Sequence, residues 1–234
     1  MGFGIIALVI DSPKVLVKHF FCNNAQSYDK MVNMTTFGRD ACWKEEIIKR
    51  IIGCNSVLDL ACGTGILTFK TAKRFPAAKI VGIDITEEYL EMAKSKIEPH
   101  HNVSFLLDDA EKMSLDTKFD CITSSYLPKY CLPDLLIERC LFHLNPHGKI
   151  ILHDFTYPSS KPVRFLWNLY FVILQAVGFF VPSWKDVFKG LPKLVRSANW
   201  VDKYKDVMRR KGLEIEVRYI TLSCSAILTG TKKI

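Results

Sequence analysis

The sequence has no Cys-x-x-Cys pair. Its eight cysteines, Cys22, Cys42, Cys54, Cys62, Cys121, Cys131, Cys140 and Cys224, stand singly, so neither a zinc site nor a dithiol redox centre has a ligand pattern behind it. Most lie inside apolar runs, where a thiol acts as a small hydrophobe, and they read as reduced thiols of a cytoplasmic protein. Dense Lys/Arg blocks are missing as well. The net charge of +8 and pI of about 9.0 come from basic residues dispersed among acids, whereas a nucleic-acid face normally shows clustering, so none is expected as a partner. No apolar run of bilayer length is uninterrupted. Residues 165–182 come nearest, but Asn168, Gln175 and Gly178 break them, which leaves a buried or membrane-facing helix rather than a span. Residues 3–10 are apolar but short, have no basic stretch before them and run into Asp11 and Pro13, a poor signal peptide. Repeats and low-complexity tracts are also lacking.

What is present is an ordinary globular balance. Of the 234 residues, 49% are hydrophobic and 24% charged, enough to bury a core without metal or disulfide staples. From 51 to 156 the chain alternates β-rich runs with helical stretches. Strands are expected at 56–60, 79–83, 103–107, 119–123 and 149–153. Helices are expected at 66–75, at 87–97 behind a Thr86 cap, and at 132–144, ended by Asn145-Pro-His-Gly148. Such alternation means βαβ units and a parallel sheet covered on both faces. A helix over 199–211 and antiparallel strands over 213–219 and 222–229 close the chain. Between them, 157–198 is a Pro-punctuated, aromatic-rich insertion.

The turn after the first strand is the strongest signal. Asp59 ends that strand and Ala61-Cys62-Gly63-Thr64-Gly65 follows, without the third glycine of a dinucleotide turn. An acid at the strand tip suits a cationic ligand and would repel a pyrophosphate. S-adenosylmethionine carries a sulfonium and an ammonium but no phosphate. Asp84 then ends the second strand, where a carboxylate can take both ribose hydroxyls, with Ile85 beside it. Asp109-Ala110 follows the third strand, in place to meet an adenine edge, and Ser125 follows the fourth. Any one of these acids alone would read as a helix cap; three at successive strand ends, with a Gly-Thr-Gly turn, read as a cofactor site.

These residues carry a family resemblance. Asp59-x-x-x-Gly63-Thr-Gly65, Gly82-Ile-Asp84, Asp109-Ala110-Glu111 and Phe119-Asp120 resemble the successive motifs of class I S-adenosylmethionine methyltransferases. Phe21, Ala25, Tyr28-Asp29-Lys-Met31, Trp43-Lys44 and Asp154-Phe155 with Pro158 are similar to the C-methyltransferases of menaquinone and ubiquinone biosynthesis. The resemblance implies a Rossmann-like, doubly wound α/β fold, a mostly parallel seven-stranded sheet with an antiparallel C-terminal strand. It implies one domain over 1–234: cofactor-covering helices at 20–50, the core at 51–156, a helical acceptor lid at 157–198 and a C-terminal helix and edge strands at 199–234. Two stretches depart from that family. Tyr126-Leu-Pro-Lys129-Tyr130 stands where Phe-Gly-Leu-Arg-Asn is usual, and Leu222-Ser-Cys-Ser225 replaces Leu-Thr-Gly-Gly.

C-methylation of a hydroxylated ring needs a base. Asp154 and His153, at the end of the fifth strand, are the candidates, with His153 alternatively a packed structural histidine. Lys129 is a candidate to stabilise a developing phenolate, or else a solvated lysine, since an ammonium does not reproduce a guanidinium. Tyr28 either covers the cofactor or packs. The insertion offers Phe165, Trp167, Tyr170, Phe171, Phe179, Phe180 and Trp184 between basic flanks, which suits a lipid-tailed acceptor and peripheral contact with an anionic membrane through 165–196, or completion of the core. The expected partners are a lipophilic small molecule, that membrane surface and a second copy of the chain; no metal is expected. The alternatives are another hydrophobic acceptor, such as a sterol or phospholipid, and a methyltransferase-like module without turnover.

Overall fold

The protein was analysed as a computed structural model that describes residues 14–21, 24–98 and 101–233; the apolar stretch 3–10 and Cys22 lie outside them. Three helices come first, α1 (Val15–Phe21), α2 (Ala25–Thr35) and α3 (Arg39–Ile48). The alternating core follows as β1 (Ser56–Leu60), α4 (Ile66–Arg74), β2 (Lys79–Asp84), α5 (Glu87–Lys94), β3 (Val103–Leu107), β4 (Phe119–Ser125), α6 (Pro133–Phe142) and β5 (Leu144–Phe155). The insertion forms α7 (Lys161–Val177) and α8 (Lys185–Ala198), and the chain closes with α9 (Trp200–Arg210), β6 (Leu213–Ile220) and β7 (Ser225–Lys232).

The seven strands form one sheet in the order β3-β2-β1-β4-β5-β7-β6. β3 through β5 are mutually parallel, and β7 lies antiparallel between β5 and β6. The expected fold class is the observed one. Its reason is visible in burial: Val57, Leu58, Leu60, Ile80, Ile83, Ile122, Ile150, Ile151 and Leu152 are buried whichever face they take, as strands covered on both sides require. On one face they pack against Leu136, Ile137 and Cys140 of α6 and Trp200, Tyr204 and Met208 of α9. On the other they meet Ile47 of α3, Leu67 and Ala72 of α4, and Leu90 and Ala93 of α5.

Some boundaries differ from the sequence expectation. Asn145-Pro-His-Gly148 does not stand outside a strand; it belongs to the entry of β5, where Leu144 pairs with Phe119 before the register shifts. Asp120 anchors this stretch by accepting the Asn145 side-chain amide at 2.7 Å. At the far end, β7 begins at Ser225, not Leu222, because Thr221, Leu222 and Ser223 all take left-handed φ, 51°, 55° and 61°. That turn is held by Trp43 Nε1, which donates to Thr221 Oγ1 at 2.8 Å, and by Thr156 Oγ1, which donates to the Ser223 carbonyl at 2.9 Å. Thr86 occupies the N-cap position before α5, as expected, but its side chain makes no cap bond, and α5 stops at Lys94 rather than Ile97.

In the insertion, α7 buries Trp167 and Phe171. Its other face leaves Phe165, Leu166, Leu169, Val172 and Ile173 exposed. No helix among the described residues is long and apolar enough to cross a membrane.

Candidate active site

β1 to β4 end on one side of the sheet around the point where the order turns from β1 to β4, the crevice in which open α/β sheets bind ligands. A cleft of about 730 Å³, its open mouth included, lies there. It is lined by Ala61 and Gly63 after β1, Asp84 and Ile85 at β2, Asp109 and Ala110 after β3, Ser125 at the end of β4, and Tyr28 from α2. The φ of Gly63 is +57° and that of Ala61 +52°, so the turn brings bare backbone up to the cleft.

Three residues of the expected cofactor set do not line that cleft. Gly65 sits behind it: its φ is +83°, and a Cβ there would lie 2.5 Å from the Phe69 ring, so packing and backbone geometry require the glycine. Thr64 is buried, and its hydroxyl donates to Asp29. Asp59 lines a narrow recess of about 310 Å³, together with Lys44, and this recess shares Tyr28, Ala61, Gly63, Ser125 and Tyr126 with the cleft. It accepts the Thr68 hydroxyl at 2.7 Å and the Thr123 hydroxyl at 3.1 Å. Burial outweighs these bonds and the attraction of Lys44, pushing the Asp59 carboxyl up to about 6.

Asp84 is the hinge of the cleft. One oxygen accepts the Gly63 N–H at 2.8 Å and the other the Thr86 N–H at 2.9 Å, which ties the end of β2 to the glycine turn. Asp84 lines the cleft, where its carboxylate can accept from a ligand diol. Lys14 bridges Asp109 and Glu111, the latter at 2.7 Å, a contact with no signal in the sequence.

A second, larger cavity of about 1580 Å³, also measured with its mouth, adjoins the first. Phe155, Trp167, Tyr170, Phe171, Leu174, Trp184, Phe188 and Leu191 supply its apolar wall, the 221–224 turn supplies Thr221, Leu222 and Cys224, and Lys129 is its buried cation. Phe21, Tyr28, Tyr126 and Tyr130 line both cavities. The insertion therefore supplies much of the wall of an apolar chamber that opens onto an acid-lined cleft.

A model of the ubiE/COQ5 methyltransferase family matches residues 9–232. The chain belongs to that family. Among curated relatives, the ubiquinone/menaquinone biosynthesis C-methyltransferases UbiE of Escherichia coli O1:K1 / APEC and of Salmonella arizonae are each 29% identical, covering 96% of this chain and 93% of the relative. Among solved structures, magnesium protoporphyrin IX methyltransferase from Synechocystis PCC 6803 with bound SAH superposes with a TM-score of 0.66 at 14% identity, over 95% of this chain and 100% of that one. The plantazolicin methyltransferase BpumL with a desmethyl analogue and SAH gives 0.64 at 12%, over 95% of each. These distant likenesses are of fold.

In this methyltransferase the three expected catalytic residues are brought together, but not equally near the cavities. Lys129 and Asp154 form a buried ion pair at 2.8 Å, and Asp154 also accepts the backbone N–H of Lys129 at 3.1 Å and of Phe155 at 2.7 Å. Burial drives the Asp154 carboxyl up and the Lys129 ammonium down, and their contact opposes both shifts. Asp154 lines neither cavity. His153 is wholly buried between two serines. Because Ser225 Oγ donates to the Asp154 carbonyl at 3.0 Å, it receives the His153 Nε2 proton at 2.7 Å, which leaves Nδ1 to accept the Ser125 hydroxyl at 2.9 Å. Burial and the neighbouring ammonium groups of Lys44 and Lys129 hold the imidazole well below its usual range. It is thus a neutral support for Ser125 rather than a group open to an acceptor. Lys129 is likewise no solvated surface lysine: its Nζ donates to the Tyr126 carbonyl at 2.6 Å and lies 4.4 Å from the Tyr130 ring centre.

Proposed function

We propose that this methyltransferase transfers the methyl group of S-adenosylmethionine to a ring carbon of a lipophilic quinol. The observation that carries the reading is the meeting of an acid-lined cleft and an apolar, aromatic chamber at Phe21, Tyr28, Tyr126 and Tyr130. The donor set fits the cofactor: buried carboxylates at Asp59 and Asp84 favour a cation and a diol, and among the described residues Lys14 is the one basic side chain that lines the cleft. Asp84 would hold the ribose, Asp109 and Ala110 the adenine, and Asp59 the amino-acid ammonium, with Ala61, Gly63, Ile85 and Ser125 shaping the walls. The cofactor supplies an electrophilic methyl on a sulfonium. The chain's part is to align the acceptor with it and exclude water. Lys129, on the acceptor side, stabilises negative charge developing on the ring oxygen.

The exposed face of α7 supports delivery of the acceptor from a membrane. Along the chain its apolar side chains are preceded by Lys161 and Arg164 and followed by Lys185, Lys189 and Lys193 of α8, a pattern that suits an anionic lipid surface. The chamber would also take another hydrophobic ring or lipid, so the decisive assay supplies several acceptors. Purified protein, labelled S-adenosylmethionine and a prenylated demethyl quinol should yield a labelled ring carbon, whereas the Asp84→Ala variant should lose cofactor binding and turnover together. Transfer to a sterol or phospholipid with none to the quinol would replace the acceptor. Binding of S-adenosylhomocysteine without transfer to any of the three would indicate a non-catalytic module.

A further inference from the structure

The position after β4 carries a phenol with a proton acceptor behind it. Tyr126 takes φ +74°, a strained conformation for a non-glycine residue that persists only where neighbours enforce it. They do so here on every side. Its N–H donates to the His153 carbonyl at 2.8 Å, its ring stacks on Phe155 with centres 4.9 Å apart, and Lys44 and Lys129 lie 5.0 and 5.6 Å from its centre. So held, its hydroxyl donates to Asp40 Oδ1 at 2.7 Å. Asp40, on α3, is itself buried and paired with Lys44 one turn on. Tyr126 also lines the cleft, the recess and the chamber. Beside it the Tyr130 hydroxyl is enclosed and has no hydrogen-bond partner among the described residues; this residue too lines both cavities.

We infer that Tyr126 and Asp40 form the proton relay that activates the acceptor. The inference rests on the reading of the acceptor as a hydroxylated ring. The phenolic oxygen of Tyr126 has a free lone pair. It accepts the proton of the ring hydroxyl while its own proton passes to Asp40. The ring carbon forms its bond to the methyl, and the S–CH3 bond breaks with its electron pair left on sulfur. The ring C–H proton then departs to water, and Asp40 returns its proton through Tyr126 to the ring oxygen. One proton is released for each methyl transferred. His153 serves this step poorly, because an imidazolium there would lie buried beside two ammonium groups.

The test uses the full chain with labelled cofactor and two short-tailed hydroquinones, one plain and one ring-chlorinated with a more acidic hydroxyl. Tyr126→Phe keeps the stack on Phe155 and removes only the relay atom. Its kcat on the plain acceptor should fall by about 10²-fold or more, with KM and S-adenosylhomocysteine affinity within about threefold of wild type. The chlorinated acceptor should shrink the wild-type to variant ratio at least tenfold, a rescue that a packing role would not produce. Asp40→Asn should behave the same way and serves as the second probe should Tyr126→Phe fold poorly. Active wild type with both variants within about threefold of it overturns the relay alone, as does a loss that ignores acceptor acidity. Wild type that methylates no hydroxylated ring overturns the functional reading and the relay with it.

Discussion

Asp59 places function and stability in opposition, and the conflict can be measured. The carboxyl is only 2% exposed and its pKa rises from 3.8 to about 6. Folding therefore takes up a proton between those values, and stability falls as pH rises from about 4 to 6, staying low above that. At 1.36 kcal/mol per unit, the cost at neutral pH is about 3 kcal/mol. Asp59→Asn removes the charge and keeps an acceptor for the Thr68 hydroxyl. Thr123 can receive the new amide, since its hydroxyl oxygen also lies 3.4 Å from the Leu58 carbonyl and can donate there. Allowing about 1 kcal/mol for poorer pairing, the ligand-free variant should gain about 2 kcal/mol, or about 4–8 °C in Tm, at pH 7.5. Below pH 4 the gain should give way to a loss of about 1 kcal/mol, the poorer pairing alone. With S-adenosylhomocysteine at saturating concentration most or all of that gain should be lost, because loss of the partner to its ammonium costs about 1.5–3 kcal/mol, or roughly 10- to 100-fold in affinity. Thermal unfolding from below pH 4 to pH 8, with and without the ligand, reads all of this. A ligand-free Asp59→Asn protein less stable than wild type at pH 7.5, or a gain independent of pH, would refute the reasoning.

Gly65→Ala should destabilise the fold by about 2–3 kcal/mol or more, since a methyl at φ +83° meets the Phe69 ring at 2.5 Å; urea unfolding measures it, and a change under 0.5 kcal/mol would put the constraint elsewhere. Leu169→Glu with Ile173→Glu on the exposed face of α7 should abolish co-sedimentation with anionic vesicles while leaving turnover of a short-tailed acceptor within twofold; retained vesicle binding would remove this face from the membrane reading. Lys129→Met should cost about 3–5 kcal/mol by stranding the buried Asp154 carboxylate, and Lys129→Met with Asp154→Leu should recover most of that. Recovered activity in the double variant would make the pair structural; recovered stability without activity would support Lys129 acting on the acceptor.

The parts legible from sequence share one property: each is determined by its immediate neighbours in the chain. Strand periodicity, the acids at strand tips and the Gly-Thr-Gly turn are local patterns, so the sheet and the lining at Ala61, Gly63, Asp84, Asp109 and Ser125 could be placed without a structure. The residues missed depend on contacts made across the chain. Asp40 has no motif around it; it becomes a site candidate only because Tyr126, 86 residues later, is turned toward it by a left-handed backbone. Lys14 gains its role only by reaching Asp109 and Glu111. Of the three left-handed residues at 221–223, Leu222 and Ser223 read as strand, because an apolar Leu at the head of a β-rich run conceals a turn that Trp43 and Thr156 impose from elsewhere. His153 shows the same limit from the other side. A histidine at a strand end invites a catalytic role, and only the direction of the Ser225 hydroxyl, set by the Asp154 carbonyl, fixes it as the neutral acceptor of the Ser125 proton. Sequence thus reveals which groups are available, whereas the direction of each hydrogen bond determines which of them can move a proton, and at this junction that direction runs from Tyr126 to Asp40.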